Sequence, residues 1–365
     1  MKRFSGSPGR LVTVEHQSAL LRDNPLGDPS LRQFPVWLPA GYDQQQRRGA
    51  GKRFPVLFDL AGYTSAGPAH TAWRGFDENV PERAARLIHQ HKMPACIIVF
   101  PDCFTALGGN QYINSSALGP YADYLTRELI PFIDREFRTL AQRESRGVFG
   151  KSSGGYGALL HGMKYTRFWG AVASHSGDAY FDFIYRSDWP NTLTQLARFR
   201  PERQREGRWT TATGSANTGE DDGRVAAFLR HAWKRERLNP AEMHCLMNLC
   251  MAATYDPDPT AANGFRVPFD LETGELLAPR WRAWLRHDPV KLVRRHAASL
   301  RKLAALYIDC GWRDQYHIHY GCRQVAQQLA KHAVAHEYRE FDGTHSGIDH
   351  RLDHSLPYLL KALHS

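Results

Sequence analysis

The sequence lacks any run of apolar residues long enough to cross a membrane, since no window approaches 18 uncharged apolar residues. No apolar stretch follows the basic residues near its start, so we expect no signal peptide. None of the six cysteines forms a C-x-x-C pair, which favours buried thiols in a reducing compartment. By default, these absences predict a cytoplasmic protein without a membrane partner.

Blocks of like charge, internal repeats and low-complexity tracts are also missing from the 365 residues. The net charge is +10, but the arginines are interspersed with acidic residues, so we expect a solvated basic surface and no nucleic-acid partner. His317 and His319, like His350 and His354, lack a third ligand at a suitable spacing. We therefore expect no metal site.

Short apolar runs alternate with helical patterns over much of the chain. Extended segments are predicted at residues 11–16 and 33–38, and buried strands at 54–60, 95–100, 147–150, 169–174, 303–308 and 337–341. Helices are predicted between them, including one over residues 120–137 that Pro131 would kink. The alternation predicts an α/β fold with a mostly parallel sheet covered by helices on both faces.

The pattern breaks between residues 180 and 290, where Arg, Trp and Asp are frequent and turn clusters recur. Two helices are predicted there, over residues 224–235 and from Pro240 to about residue 253. We predict a helical cap at 180–290 inserted into a core formed by 1–179 and 291–365. The tryptophans of this cap either line an acyl pocket or, as we favour, attach the cap to the sheet; they are Trp209, Trp233, Trp281 and Trp284.

A G-x-S-x-G motif at residues 150–154 follows a predicted strand and precedes a predicted helix. A serine nucleophile in such a strained turn needs small neighbours, and Gly150, Gly154 and Gly155 meet that need. The motif therefore predicts Ser152 as the nucleophile. A phosphate-binding loop ending in G-K-S is the alternative, but it requires glycine where Ser145 stands.

A serine nucleophile requires a histidine base and an orienting acid, which follow it in the chain in the order acid, then histidine. Asp314 lies in the loop after the penultimate predicted strand and is the preferred acid, with Asp309 and Asp178 as alternatives. His345 lies in a glycine-flanked loop after the last predicted strand and is the expected base.

Two backbone amides are candidate donors to the oxyanion of the tetrahedral intermediate. One belongs to Ser153, directly after the nucleophile, and the other to Tyr63, in the loop after the strand at 54–60. Gly62 would allow that loop a close approach. The alternative is that this loop is a plain turn at the end of a strand.

Taken in order, these motifs resemble the esterase family of α/β-hydrolases that holds S-formylglutathione hydrolase (esterase D), enterochelin esterases and mycolyltransferases. The matching stretches are 54–65, 101–102, 109–137, 150–158, 309–316 and 341–346. The resemblance implies an α/β-hydrolase fold and hydrolysis of a small-molecule ester by Ser152, His345 and Asp314 through an acyl-enzyme. Tyr63 and Ser153 would be the oxyanion donors, and no cofactor is implied.

The chain also departs from this family. Lys151 and Ser153 flank the nucleophile where many members have His before it and Met or Leu after it, and the predicted cap is longer than in the glutathione-thioester hydrolases. Thioester hydrolysis and acyl transfer on the same residues therefore remain alternatives, as does assembly into a homo-oligomer. A hydrolase-fold protein without catalysis is a further alternative, since a fold does not guarantee a chemistry.

Overall fold

The computed structural model describes residues 6–43, 51–201 and 219–363. Ten strands are found in this part of the chain. They are β1 (Arg10–Gln17), β2 (Leu31–Leu38), β3 (Val56–Leu60), β4 (Ile97–Val99), β5 (Asn114–Ser115), β6 (Gly119–Pro120), β7 (Arg146–Lys151), β8 (Ala171–His175), β9 (Ala305–Gly311) and β10 (Glu337–Phe341).

Twelve α-helical segments accompany these strands in the described part of the chain. They are α1 (Val80–His89), α2 (Tyr121–Asp123), α3 (Ile130–Glu136), α4 (Ser153–Lys164), α5 (Phe181–Ile184), α6 (Trp189–Ala197), α7 (Arg224–Trp233), α8 (Pro240–Tyr255), α9 (Ala278–Leu285), α10 (Pro289–Leu300), α11 (Ile318–Lys331) and α12 (Leu352–Ala362). None of them is long and apolar enough to span a bilayer.

Eight strands form one central sheet in the order β1-β2-β4-β3-β7-β8-β9-β10. Strand β2 is antiparallel to both neighbours, and the pairs from β4 to β10 are all parallel. Strands β5 and β6 form a separate small hairpin. The predicted mostly parallel sheet is therefore confirmed.

Side chains of the sheet alternate between two buried apolar clusters, as the period of a strand requires. In β3, Val56 and Phe58 belong to one cluster and Leu57 to the other. Helices α1 and α12 contribute Leu87 and Leu356 to the second cluster. Helices therefore cover both faces, as predicted, and the sheet is buried between them. All six cysteines are buried free thiols, also as predicted.

The helix predicted over residues 120–137 consists of three consecutive segments. Between α2 and α3, residues Tyr124–Leu129 form a π-helical turn, directly before Pro131 in the first turn of α3. Proline has no amide hydrogen to donate to the preceding turn, so the regular α-helical ladder is interrupted there.

The segment predicted as a cap contains α7 and α8, as expected, together with three helices that the sequence pattern did not reveal: α5, α6 and α9. Trp281 and Trp284 are buried with their ring centroids 5.6 Å apart, and Trp284 also packs on Tyr185. These contacts all lie within the segment itself, so attachment of the segment to the sheet by Trp281 and Trp284 stays a prediction. Trp233 is 53% exposed, and Trp209 lies outside the described residues.

Candidate active site

The candidate functional residues follow the carboxyl ends of neighbouring parallel strands. Tyr63 follows β3, Ser152 follows β7, Asp178 follows β8, Asp314 follows β9 and His345 follows β10. Because parallel strands end at the same edge of a sheet, these loops lie side by side, which is where α/β proteins usually bind ligands.

Ser152 occupies a strained turn between β7 and α4, with φ 58° and ψ −126°. A positive φ is unusual for a residue with a side chain and occurs where the surrounding structure enforces it. The Ser152 amide donates to the His175 carbonyl at 2.9 Å, and the Ser152 carbonyl accepts from the Tyr156 amide at 2.8 Å. The strand–turn–helix geometry predicted around Ser152 is therefore present.

The glycines around this turn are sterically required. A Cβ atom on Gly154 would overlap the Leu60 carbonyl oxygen of β3, and one on Gly155 would lie 2.8 Å from the His175 carbonyl oxygen. A Cβ atom on Gly150 would collide with the backbone of Gly154. Each obstacle is backbone, which cannot rotate away as a side chain can.

Asp314 and His345 come from two loops that interlock. The Arg313 amide donates to the Gly343 carbonyl at 3.0 Å, which holds the loop after β9 against the loop after β10. Asp314 Oδ2 then lies 2.8 Å from His345 Nδ1, and the His345 amide donates to Gln315 Oε1 at 3.0 Å. The two side chains predicted as acid and base are thus hydrogen-bonded.

The environment of Asp314 favours its ionised form. Burial alone would raise the pKa of this carboxyl group, which is 2% exposed. The hydrogen bond and charge of His345, together with the hydrogen bond from the Tyr316 amide, outweigh burial and lower its pKa. A carboxylate that stays charged can orient an imidazole and stabilise its protonated form.

Asp309, one of the two alternative acids, is engaged elsewhere. Its Oδ1 lies 2.7 Å from His175 Nδ1, and its Oδ2 accepts from Arg351 Nε at 2.9 Å. The other ring nitrogen of His175 lies 2.9 Å from Ser355 Oγ. This serine–histidine–aspartate cluster is buried within the fold, so we assign it a structural role.

Asp178, the other alternative acid, also contacts groups other than the imidazole. Its Oδ2 accepts hydrogen bonds from Tyr185 Oη at 2.8 Å and from Gln111 Nε2 at 3.1 Å. Within the described part of the chain, Asp314 is the only one of the three candidate acids that is hydrogen-bonded to His345.

A cavity of about 490 Å³ opens at this edge of the sheet, and both Ser152 and His345 line it. Among residues 6–43, 51–201 and 219–363, no hydrogen bond joins the Ser152 hydroxyl to the His345 imidazole. Hydrogen bonds between a nucleophile and its base are often long or poorly aligned without substrate and shorten in the complex with substrate. Because the Ser152 hydroxyl and the His345 imidazole line the same cavity, a substrate bound there can contact both and align them.

The two candidate oxyanion donors lie beside the nucleophile. A Cβ atom on Gly62 would meet Ser152 Cβ at 3.5 Å and the Lys151 carbonyl oxygen at 3.4 Å, so this loop touches the nucleophile turn. Within the described residues, neither the Tyr63 amide nor the Ser153 amide donates a hydrogen bond to another backbone group. Both amides are therefore available to a ligand in the cavity.

A group of charged side chains also lines the cavity: His70, Arg74, Lys151 and Asp349. Arg74 pairs with Asp349, and His70 Nδ1 lies 2.7 Å from Asp59 Oδ2. Burial opposes ionisation of His70, but the charge and hydrogen bond of Asp59 raise its pKa. Burial lowers the pKa of Lys151. Apart from Lys151, which lies in the nucleophile motif, these residues belong to no recognisable motif.

Helix α8 contributes apolar side chains to the cavity wall. Met243, His244 and Met247 all line the cavity. The ring of Tyr316 packs edge-on against His345 with centroids 4.8 Å apart, and it stacks on His244 at 5.9 Å. The candidate base is thereby in ring contact with a side chain that also packs on α8.

The geometry disfavours the phosphate-loop alternative. The residues that precede Ser152 belong to β7, which pairs with β3 and β8 over its length. Their amides are engaged in the sheet and cannot wrap around a phosphate. In the described part of the chain, no group of three or more His, Cys, Asp or Glu side chains could hold a metal ion.

Residues 30–353 match the family described as "Putative esterase". The chain belongs to the putative esterase family. The predicted family is therefore confirmed. Two curated relatives, "Esterase Rv1288" and "Esterase MT1326" from two strains of Mycobacterium tuberculosis, are each 34% identical to it over 164 residues. The match covers 43% of this chain, and the chain spans about a third (32%) of the length of these relatives.

Solved structures establish the fold over almost the whole chain. A ferulic acid esterase superposes with a TM-score of 0.60 and 19% identity, covering 97% of this chain and 98% of its own. An S-formylglutathione hydrolase from Staphylococcus aureus superposes with a TM-score of 0.56 and 13% identity, covering 96% and 98%. The predicted α/β-hydrolase fold is therefore confirmed.

Proposed function

We propose that this chain hydrolyses carboxylic esters of small molecules through a serine acyl-enzyme, with Ser152 as nucleophile, His345 as general base and Asp314 as orienting acid. The observation that carries the proposal is the 2.8 Å contact between Asp314 Oδ2 and His345 Nδ1 beside a cavity that Ser152 also lines. Family membership supports ester hydrolysis independently of that contact.

The first half of the reaction forms the acyl-enzyme. His345 Nε2 takes the proton of the Ser152 hydroxyl while its Nδ1–H donates to Asp314, which stabilises the imidazolium. The Ser152 oxygen then attacks the ester carbonyl and gives a tetrahedral intermediate. The Tyr63 and Ser153 amides hold the developing oxyanion, and each such donor contributes roughly 10²–10³ in rate. His345 returns the proton to the leaving alcohol as the intermediate collapses.

The second half releases the acid. Water loses a proton to His345 and attacks the acyl group on Ser152 through the same oxyanion site. Protonation of the Ser152 oxygen then restores the enzyme. No step requires a cofactor, because each proton and each charge is handled by groups of the chain itself.

We also propose that the inserted segment 180–290 forms a cap that shapes the substrate site. The side chains of α8 that line the cavity support this role, and so does Ile184 of α5, which lines it as well. A cavity of about 490 Å³ falls in the size range of small-molecule sites. We expect changes in Met243 or Met247 to alter the preferred acyl length.

Fluorophosphonate labelling combined with Ser152→Ala tests the proposed function. We expect the probe to modify the wild type, to spare Ser152→Ala, and to be blocked by a slowly hydrolysed ester. We also expect Ser152→Ala to lower kcat for a p-nitrophenyl ester by roughly 10⁴-fold or more. Ser145→Ala is the matched control, because Ser145 is buried at the opposite end of β7, and it should keep its activity. Full turnover by Ser152→Ala would refute the proposal.

A further inference from the structure

A buried carboxyl group without a cationic partner lies in the wall of the cavity. Asp178 is 7% exposed and lines the cavity together with Ser152. Among the described residues, no Lys, Arg or His side chain forms an ion pair with it. A buried charge without a partner is costly, and such groups concentrate at functional sites.

Among the described residues, only one of the two carboxylate oxygens of Asp178 accepts hydrogen bonds. Oδ2 accepts both hydrogen bonds that reach the carboxyl group, from Tyr185 Oη and Gln111 Nε2. In the described part of the chain, Oδ1 accepts no hydrogen bond. It is also not among the side-chain oxygen and nitrogen atoms that are fully buried without a hydrogen-bond partner. Asp178 Oδ1 is thus an unused hydrogen-bond acceptor that is accessible from the cavity.

Gln111 connects this carboxyl group to the nucleophile turn. Its Nε2 lies 3.1 Å from Asp178 Oδ2 and 3.0 Å from Ser153 Oγ. Since the Ser153 amide is a proposed oxyanion donor, one side chain spans the distance between Asp178 and the oxyanion site. Asp178 and Ser153 also line the same cavity, so a substrate bound at the proposed oxyanion site shares that cavity with the Asp178 carboxyl group.

We propose that Asp178 Oδ1 binds a hydrogen-bond donor, a hydroxyl or an ammonium group, that the substrate carries close to its ester carbonyl. The inference rests on the proposed function, because the carbonyl position is set by Ser152 and the oxyanion donors. A site with a buried acceptor of this kind discriminates strongly against analogues that lack the donor. Tyr185 and Gln111 hold the carboxyl group in place, and Asp178 is the residue that contacts substrate.

The test compares three p-nitrophenyl esters of similar size: butyrate, beta-hydroxybutyrate and beta-aminobutyrate. For the wild type, we expect kcat/KM to be roughly 10- to 100-fold higher for one of the donor-bearing esters than for butyrate. The ester that is preferred tells whether the recognised donor is a hydroxyl or an ammonium group. Equal kcat/KM for all three esters would overturn the inference.

Asp178→Asn is the decisive variant. The Oδ1 atom of the asparagine can still accept hydrogen bonds from Tyr185 and Gln111. Its NH₂ group takes the place of the unused carboxylate oxygen and is a hydrogen-bond donor instead of an acceptor. We expect the ratio of kcat/KM for the preferred donor-bearing ester to kcat/KM for butyrate to fall to about 1. An equal loss on all three esters would show a structural role for Asp178 and overturn the inference.

Asp123→Asn is the matched control, because it makes the same change from carboxylate to amide in α2, at a residue that pairs with Arg127 and does not line the cavity. We expect this variant to keep the wild-type preference. Thermal unfolding in the presence of beta-aminobutyramide, beta-hydroxybutyramide or butyramide gives a second readout that needs no turnover. In the wild type, a donor-bearing amide should raise Tm more than butyramide does. In Asp178→Asn, the two amides should raise Tm by the same amount. Equal shifts would overturn the inference, whereas failure of the proposed function appears separately as turnover by Ser152→Ala.

Discussion

Gly154→Ala separates the steric demands of the nucleophile turn from ordinary helix propensity. Gly154 is the second residue of α4, where alanine would normally stabilise a helix by up to about 1 kcal/mol. Its Cβ atom would however overlap the Leu60 carbonyl oxygen, which is backbone of the central sheet. Overpacking costs about 1–3 kcal/mol, and rigid obstacles fall in the upper part of that range. We therefore expect a net loss of about 2 kcal/mol in the free energy of unfolding.

The same change should impair catalysis beyond its effect on stability. Leu60 leads directly into Gly62 and Tyr63, so a shift that relieves the overlap also moves a proposed oxyanion donor. A displacement of about 1 Å in a positioned group costs roughly 100-fold in rate. We expect kcat for a p-nitrophenyl ester to fall by about that factor in the protein that remains folded.

Urea unfolding and steady-state kinetics measure the two effects. Gly75→Ala is the matched control, because a Cβ atom there meets only the Trp73 ring at 3.4 Å, and its stability should change by less than about 0.5 kcal/mol. If Gly154→Ala were as stable and as active as Gly75→Ala, the steric account of the turn would be refuted.

Three further predictions concern the buried titratable groups. Asp314→Asn should lower kcat by roughly 10⁴-fold, while circular dichroism shows a folded protein; a loss smaller than about tenfold would point to a different acid. Asp309→Asn should instead lower the free energy of unfolding by about 3–5 kcal/mol, because the largely buried Arg351 loses its partner; urea midpoints that match the wild type would contradict this. His161 is fully buried, and burial lowers its pKa to about 4, so the folded state binds its proton less readily than the unfolded chain. The free energy of unfolding should therefore fall by at most roughly 3 kcal/mol as pH drops from about 6.5 to 4. Urea titrations across that range should show a weaker dependence of this free energy on pH for His161→Gln than for the wild type, and an equal dependence would contradict the prediction.

The positions of most strands and the contact between acid and base could be predicted because they depend on local patterns. Short apolar runs locate the strands, and parallel strands place the loops that follow them at one edge. Asp314 and His345 each follow a predicted strand, so this geometry brings them together. The glycines of residues 150–155 identify the turn because backbone crowding there tolerates no Cβ atom.

Other parts of the site depend on contacts that no local pattern encodes. Arg74 pairs with Asp349 across 275 residues, and Gln111 reaches Asp178 across 67. Helices α6 and α9 carry tryptophans that are buried against each other, so their composition resembles a loop until those contacts are known. The distinction between Asp314 and Asp309 likewise required the position of His175, which holds Asp309 within the fold.

The central claim is that Ser152 becomes acylated during turnover, and rapid-quench mass spectrometry tests it most directly. The protein is mixed with a p-nitrophenyl ester, quenched in acid within the first turnover and digested for peptide mapping. The account predicts one acyl group on the peptide that contains Ser152 and none on the corresponding peptide of Ser152→Ala. Hydrolysis at the wild-type rate with the acyl group on another side chain, or with Ser152→Ala fully active, would contradict it.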